Sequence, residues 1–169
     1  MRPFRGSPVF ILLSALAACA RPSPEDIDSK SAFENKTWEE QKASLPAFPK
    51  TGSLAPIYVG PTAFEFLVDT TSISVNEDGT TRYTLIARSS SGAMNVSYES
   101  IRCKTYERRL YALGRSDRTW SQAWNAKWVP IGGAQYATLA DDFFCAKRGQ
   151  ARAAEDVVDL LKRSRSAAR

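Results

Sequence analysis

The chain has 169 residues, of which 43% are hydrophobic and 24% charged, with 23 basic and 18 acidic side chains for a formal charge of +5. So mild an excess makes no case for nucleic-acid binding. Histidine is absent altogether, which excludes Ser-His-Asp and Cys-His catalysis and the histidine-containing zinc sets, and too few cysteines are present for an all-cysteine one. An enzyme built from this sequence would have to work with carboxylates, lysine, tyrosine or a serine–lysine pair.

The first element is a lipoprotein-type signal over residues 1–18. Arg2 and Arg5 precede an apolar run from Val9 to Ala18, too short to span a bilayer stably, and Leu16-Ala17-Ala18-Cys19 supplies the small residues and the cysteine of a lipobox. In lipoproteins that share this pattern the cysteine thiol is alkylated with diacylglycerol, the chain is cut before it, and the new amine is acylated. The expectation is a mature protein that begins at a lipidated Cys19 and faces the periplasm from a membrane. Ala20, rather than an aspartate, follows the cysteine and favours the outer membrane. Loss of Arg2 and Arg5 with the signal leaves 21 basic against 18 acidic residues, a charge of +3.

Residues 19–56 hold Pro22, Pro24, Pro46, Pro49 and Pro56, with charges and few apolar side chains, and read as a proline-rich tether. Within it, Thr37-Trp38-Glu39-Glu40 has the T-x-x-E spacing of a capping box and predicts a short helix through about Ser44 that Pro46 ends. Trp38 and Leu45 are expected to dock on the edge of the domain that follows.

That domain is expected over 57–163. Phe64, Phe66 and Val68 alternate with Glu65, Leu67 and Asp69, and Ile73 and Val75 with Ser72 and Ser74, which predicts two short half-buried strands. Asn76-Glu77-Asp78-Gly79 supplies turn chemistry before Tyr83, Leu85 and Ala87, giving a hairpin. Ser89-Ser90-Ser91-Gly92 turns the chain into Met94, Val96 and Tyr98. The apolar parity then shifts to Ile101 and Cys103, which predicts a β-bulge near Glu99 and Ser100. A further strand is predicted from Tyr106 to Leu113, ended by Gly114.

Helical patterns follow at Thr119–Lys127, Tyr136–Cys145 and Arg152–Arg163. In the last, Ala154, Val157, Val158 and Leu161 share a face, acidic Glu155 and Asp156 come early, and basic Lys162 and Arg163 come late, as the helix dipole favours. Residues 164–169 read as a solvated basic tail.

With Cys19 assigned to the lipid, Cys103 and Cys145 remain as a pair in an oxidising compartment. They predict one disulfide closing a loop of about forty residues, worth ~4 kcal/mol on the chain-entropy model. A redox or metal site is the competing reading, and the wide spacing without C-x-x-C argues against it.

Other motifs are weaker. Asn76-x-Asp78-Gly79 echoes the middle of a calcium loop, but Ser74 and Leu85 stand where the first ligand and closing carboxylate belong, so a plain turn explains the quartet. Asp141 and Asp142, adjacent on a helix, diverge by about 100° rather than converge. Arg108, Arg109, Arg115 and Arg118 form a basic run that suits anionic lipid but more often marks a solvated face. Asn35-Lys36-Thr37 and Asn95-Val96-Ser97 match the glycosylation sequon, which has no meaning under a bacterial lipoprotein signal. Trp120, Trp124 and Trp128 recur every fourth residue and fall on one face of a helix or a strand. Such a face is either core, the commoner role of large aromatics, or a platform for stacking sugars or gripping peptides. Packing is expected for at least two of the three.

Taken together, Trp38-Glu39-Glu40, Leu45-Pro46-Ala47, Phe66-x-Val68-Asp69, Asp78-Gly79-x-x-Arg82-Tyr83-Thr84-Leu85, Ser91-Gly92-Ala93-x-Asn95-Val96-Ser97-Tyr98-Glu99, Ile101-Arg102-Cys103 and Phe143-Phe144-Cys145 resemble the cryptic neisserial protein-like family, small exported proteins of betaproteobacteria. The resemblance covers about Lys36 to Leu161 and is most specific from Gly92 to Cys103. It implies an envelope protein with one such domain and carries over no catalytic residue.

The sequence thus leads to an α+β fold: an antiparallel sheet of four to five strands, C-terminal helices, and a disulfide pinning the Met94–Cys103 strand to the Tyr136–Cys145 segment. The leading functional expectation is a non-enzymatic envelope lipoprotein that binds another envelope protein or plays a structural role, with no cofactor, metal or nucleic acid. A glycan- or peptidoglycan-binding module using the Trp120–Trp128 face is the alternative. A histidine-free hydrolase comes third.

Overall fold

The alternating segments pair into one antiparallel sheet. The computed structural model describes residues 37–167; Cys19, the expected signal segment and most of the expected tether lie outside the described residues. The strands are β1 (Leu54–Ile57), β2 (Phe64–Val75), β3 (Thr80–Ser89), β4 (Met94–Arg102), β5 (Glu107–Gly114), β6 (Trp120–Gln122) and β7 (Val129–Pro130). Neighbours follow chain order from β1 to β6, and β7 also pairs β5. Seven strands stand where four to five were expected, because β1, β6 and β7 are too short to show a period. β1 lies at the sheet edge, the position in which a strand tolerates a proline such as Pro56.

The two short strands expected between Phe64 and Val75 are one bent strand. Asp69 pairs Thr84 and Ser74 pairs Arg82, so residues 70–73 bulge out of the ladder. Local side chains satisfy the bulge: the Asp69 carboxylate accepts from the Thr71 amide and hydroxyl, and the Thr84 amide donates to Ser72 Oγ at 2.8 Å. The hairpin turn forms as expected, with Gly79 at φ 77°, a conformation that suits glycine. The bulge expected in β4 near Glu99 and Ser100 is not formed: β4 pairs β3 without a break, and its apolar parity changes because Val96 is buried on one face of the sheet and Ile101 and Cys103 on the other. A bulge does lie opposite, on β5, where Tyr111 is the extra residue, since Tyr98 pairs Ala112 and Glu99 pairs Leu110.

Helices cover one sheet face. A short α1 (Ala134–Thr138) continues as a π-helical turn (Leu139–Phe144), and α2 spans Ala154–Ala167. Val68, Tyr83, Leu85 and Ile101 of the sheet pack with Leu139, Phe144, Val157 and Leu161, and the Tyr83 and Phe144 rings lie 4.7 Å apart between centroids. Cys103 and Cys145 form a disulfide across 42 residues of sequence, joining the turn after β4 to the end of the π-helical turn. Helix α2 runs past the expected stop at Arg163 into the supposed tail; no glycine or proline interrupts Ser164–Ala167.

The other face carries Leu67, Ile86 and Val96, packed with Phe48, Leu54 and Trp120. Among the described residues no helix lies over this second cluster; Phe48 belongs to a strap without regular secondary structure that occupies residues 39–50. The expected capping-box helix through Ser44 is therefore not formed. Glu40, which would close the capping box, serves the sheet instead. Residues from Glu39 onward make up one compact unit, so this part of the expected tether belongs to the domain.

The helix expected at Thr119–Lys127 is also replaced. Trp120–Gln122 extends along β5, and Asn125, at φ 66°, sits in the turn that follows. An aromatic and polar triplet has no strong helix propensity to resist the open edge of β5. Among the described residues no helix is long and apolar enough to cross a membrane.

Candidate functional site

The strap is fastened mainly by side chains. Glu40, about one-sixth exposed, accepts hydrogen bonds from Arg109 and from the Tyr111 hydroxyl, and from Trp128 Nε1 at 3.0 Å. Arg109 and Tyr111, two residues apart on β5, present their side chains to the same face by ordinary strand alternation, and so reach one carboxylate. Arg82, almost fully buried, donates to the carbonyls of Gln41 and Lys42 and pairs with Asp78 at 3.5 Å. The Gln41 amide in turn donates to Asp78 at 2.8 Å. Burial alone would raise the Asp78 pKa; hydrogen bonds from Thr80 and Gln41 and the Arg82 charge outweigh it and hold the carboxyl below its ordinary value. Burial and the Glu40 hydrogen bond push the Tyr111 hydroxyl well above its ordinary range.

Further along, Trp120 Nε1 donates to the Pro46 carbonyl at 2.9 Å and the indole lies 5.2 Å from the Phe48 ring. Gly114 makes room for that ring: a Cβ there would sit 2.8 Å from Val96 Cβ and 2.9 Å from Phe48 Cε2.

A cleft of about 440 Å³ opens beside the entry of the strap, lined by its residues Glu40 to Ala43 and Leu45 and by Arg109, Tyr111, Gln122, Ala123 and Trp124. Trp124 stands on the β6–β7 turn with 82% of its surface exposed. The three tryptophans singled out by their spacing are thus not one face. Trp120 is half-buried in the second cluster, Trp128 is half-buried against Glu40, and Trp124 points to solvent at the cleft rim.

The arginine run is likewise divided. Arg109 serves Glu40, whereas Arg108 lies on the helix face, 4.0 Å from the Tyr136 ring centroid and 3.5 Å from the Glu99 carboxylate. Glu99 is 2% exposed and accepts from Ser97 Oγ at 2.5 Å and the Tyr136 hydroxyl at 3.2 Å. Its other oxygen and the Tyr83 hydroxyl are buried without a hydrogen-bond partner. Burial raises the Glu99 pKa despite Ser97, Arg108 and Tyr136, and burial with the Glu99 charge pushes Tyr136 up to about 12. This cluster was missed in the sequence, because Glu99 sits at a position that alternation marks only by parity.

Asn76 and Asp78 are occupied in the turn and in the strap clamp: Asn76 Nδ2 donates to the Thr80 carbonyl and Asp78 accepts from the Thr80 amide. Asp141 accepts from the Tyr106 hydroxyl, while Asp142 is exposed. Among the described residues no group of three histidine, cysteine, aspartate or glutamate side chains converges on a metal position.

Fold and cleft together define a small disulfide-closed α+β domain with one sheet face under helices and the other under an irregular strap. A family model, the CNP1-like family, matches residues 33–162. The chain belongs to that family. No match was found among curated proteins or among solved structures.

Proposed function

We propose that the chain is an exported, lipid-anchored envelope protein that works by binding a protein partner, without catalysis, and that Trp124 anchors the contact. The lipobox at Cys19 supports the anchor, and Ala20 supports the outer membrane as its destination. The observation that carries the binding role is the solvent-facing indole of Trp124 at the rim of a cleft that also presents Tyr111 and Arg109. Tryptophan, tyrosine and arginine are the residue types that dominate binding hot spots. Among the described residues Glu40 is the one acid in the lining, and its carboxylate is already held by three donors. The described lining offers neither a second carboxylate for acid–base hydrolysis nor a serine to pair with Lys42, which supports binding over hydrolysis. A glycan is the second reading, favoured by the Gln41 and Gln122 amides that share the cleft with the indole.

Placing a photoreactive amino acid at Gln122 in the full-length protein, in cells, tests this. One discrete adduct is expected, with Trp124→Ala abolishing it through about thirtyfold weaker binding while thermal stability is unchanged. Peptides of a second protein recovered from the adduct support the protein reading, and loss of the added mass on muramidase digestion supports the glycan reading. An adduct that survives Trp124→Ala, or none at all, contradicts both. Cys19→Ala is expected to leave an uncleaved or soluble form, and unaltered processing and partitioning would contradict the anchor.

A further inference from the structure

Residues Pro46-Ala47-Phe48-Pro49 have the P-x-x-P pattern, and the sheet treats them as a ligand. Prolines hold φ near −65°, and the residues before them, Leu45 and Phe48, are biased to extended backbone. Trp120 donates its indole N–H to the Pro46 carbonyl at 2.9 Å, and Arg118 donates to the Pro49 carbonyl at 3.4 Å. Arg82 donates to the Gln41 and Lys42 carbonyls at the other end. Beneath runs an aromatic row in which Tyr111, Tyr98 and Trp120 follow one another at centroid distances of 5.6 and 6.2 Å, and the strap's own Phe48 ring packs 5.2 Å from Trp120. An aromatic-lined groove with an indole N–H aimed at a proline carbonyl is the recognition mode used for polyproline-type peptides.

We propose that this sheet face is a binding groove for extended, proline-containing protein segments of the P-x-x-P class, filled in cis by the chain's own strap and open to a partner segment that displaces it. The occupant is defined by what fills the groove now. The donors of Arg82, Trp120 and Arg118 meet backbone carbonyls, which any extended peptide presents, so the groove reads backbone and proline shape more than the particular side chains of the strap. The strap joins no strand ladder, and Gln41, Lys42, Ser44 and Ala47 are exposed. Its hold on the groove comes largely from being tethered, at an effective concentration of about millimolar order. The groove adjoins the Trp124 cleft and shares Tyr111 and the strap residues Glu40 to Ala43 with it, but Trp124 takes no part in the proposal, whose test is read in peptide binding and not in the adduct at Gln122.

The probe is a fluorescent synthetic peptide spanning Glu39–Lys50, titrated into the full chain. Glu40→Ala removes the entry clamp of the resident strap, and the peptide brings a glutamate of its own to Arg109, Tyr111 and Trp128. Binding is expected to be about tenfold or more tighter to Glu40→Ala than to the unaltered chain. It should weaken about fivefold when Trp120→Phe is added, or when alanine replaces both peptide prolines. Phe48→Ala, which loosens the strap at its other end, is the second background and serves if Glu40→Ala does not fold. Equal binding to the unaltered and loosened chains, indifference to the peptide prolines or to Trp120→Phe, or no binding to a folded loosened variant would each overturn the proposal.

Discussion

The two faces of the sheet are covered by different chemistry. On the helix face, Tyr83, Phe144, Leu139, Val157 and Leu161 are almost fully buried and a disulfide ties the helical turn to the strand ends. On the strap face the apolar cluster is smaller, and the cover is held by Arg82 and Trp120, which donate to strap carbonyls, and by Glu40, which accepts from Arg109, Tyr111 and Trp128. Apolar burial is non-directional and additive with area, so the helix face accumulates stability. Hydrogen bonds that exchange for bonds to water contribute about 0.5–1.5 kcal/mol each, so the strap face gains position and specificity at lower local stability. The domain thus separates the face that keeps it folded from the face proposed to receive partners.

The largest expected effect tests the helix face. Phe144→Ala removes a buried ring packed on Tyr83 and should destabilise the domain by about 3–5 kcal/mol in urea denaturation; a loss below 1 kcal/mol would show that this face is not the main core. Loss of the disulfide comes next. Its closure of a 42-residue loop predicts about 2–4 kcal/mol lost when Cys103 and Cys145 are both replaced by alanine. Peptide mapping without reduction should recover the two cysteines joined.

On the strap face, Glu40→Ala should cost about 1–2 kcal/mol, since three partly exposed donors lose one acceptor and each can turn to water. A cost as large as that of Phe144→Ala would erase the contrast between the faces.

The smallest expected effect concerns Glu99, the helix face's own polar exception. Its folded pKa is raised by burial, so the folded state binds the proton more tightly than the unfolded chain does. This contribution is complete below the unfolded value of about 4.3 and falls away as pH rises toward the folded value. Asp78 on the strap face has the opposite sign. Its folded pKa is depressed, so its contribution is present above about pH 4 and is lost as pH falls through the folded value. Glu99→Gln should therefore flatten the decline in stability above pH ~4.3, leave the acid limb in place, and change stability at neutral pH by about 1 kcal/mol or less. A decline that persists in Glu99→Gln would assign it to another group.

The central part of the molecule was legible in sequence because period-two alternation and turn residues are local signals. Strands β3, β4 and β5 and both hairpin turns follow directly from them, and α2 from its helical apolar face; the parity shift after Tyr98 misled, because β4 is buried on both faces and an apolar residue can change face without a bulge. What was not legible depends on contacts distant in sequence. Glu40 in a T-x-x-E spacing looks like a cap, and only the approach of Arg109, Tyr111 and Trp128, 69 to 88 residues away, makes it a clamp instead. Trp120, Trp124 and Trp128 share a spacing but not a surface, because a three-residue strand and a turn with Asn125 at positive φ come between them. Even spacing locates a shared face only within one element, and here the chain changes element twice.

The separation of the two faces is tested most directly by native-state hydrogen exchange of the Trp120 indole N–H, which is covered by the Pro46 carbonyl, against the β3 amides around Leu85. If the strap opens by itself while the helix face stays closed, the indole will show a protection factor about tenfold or more below that of the slowest β3 amides, insensitive to low denaturant. Equal protection, with the same denaturant dependence for both, would mean that strap and core open only together, and would contradict the division of labour between the two faces.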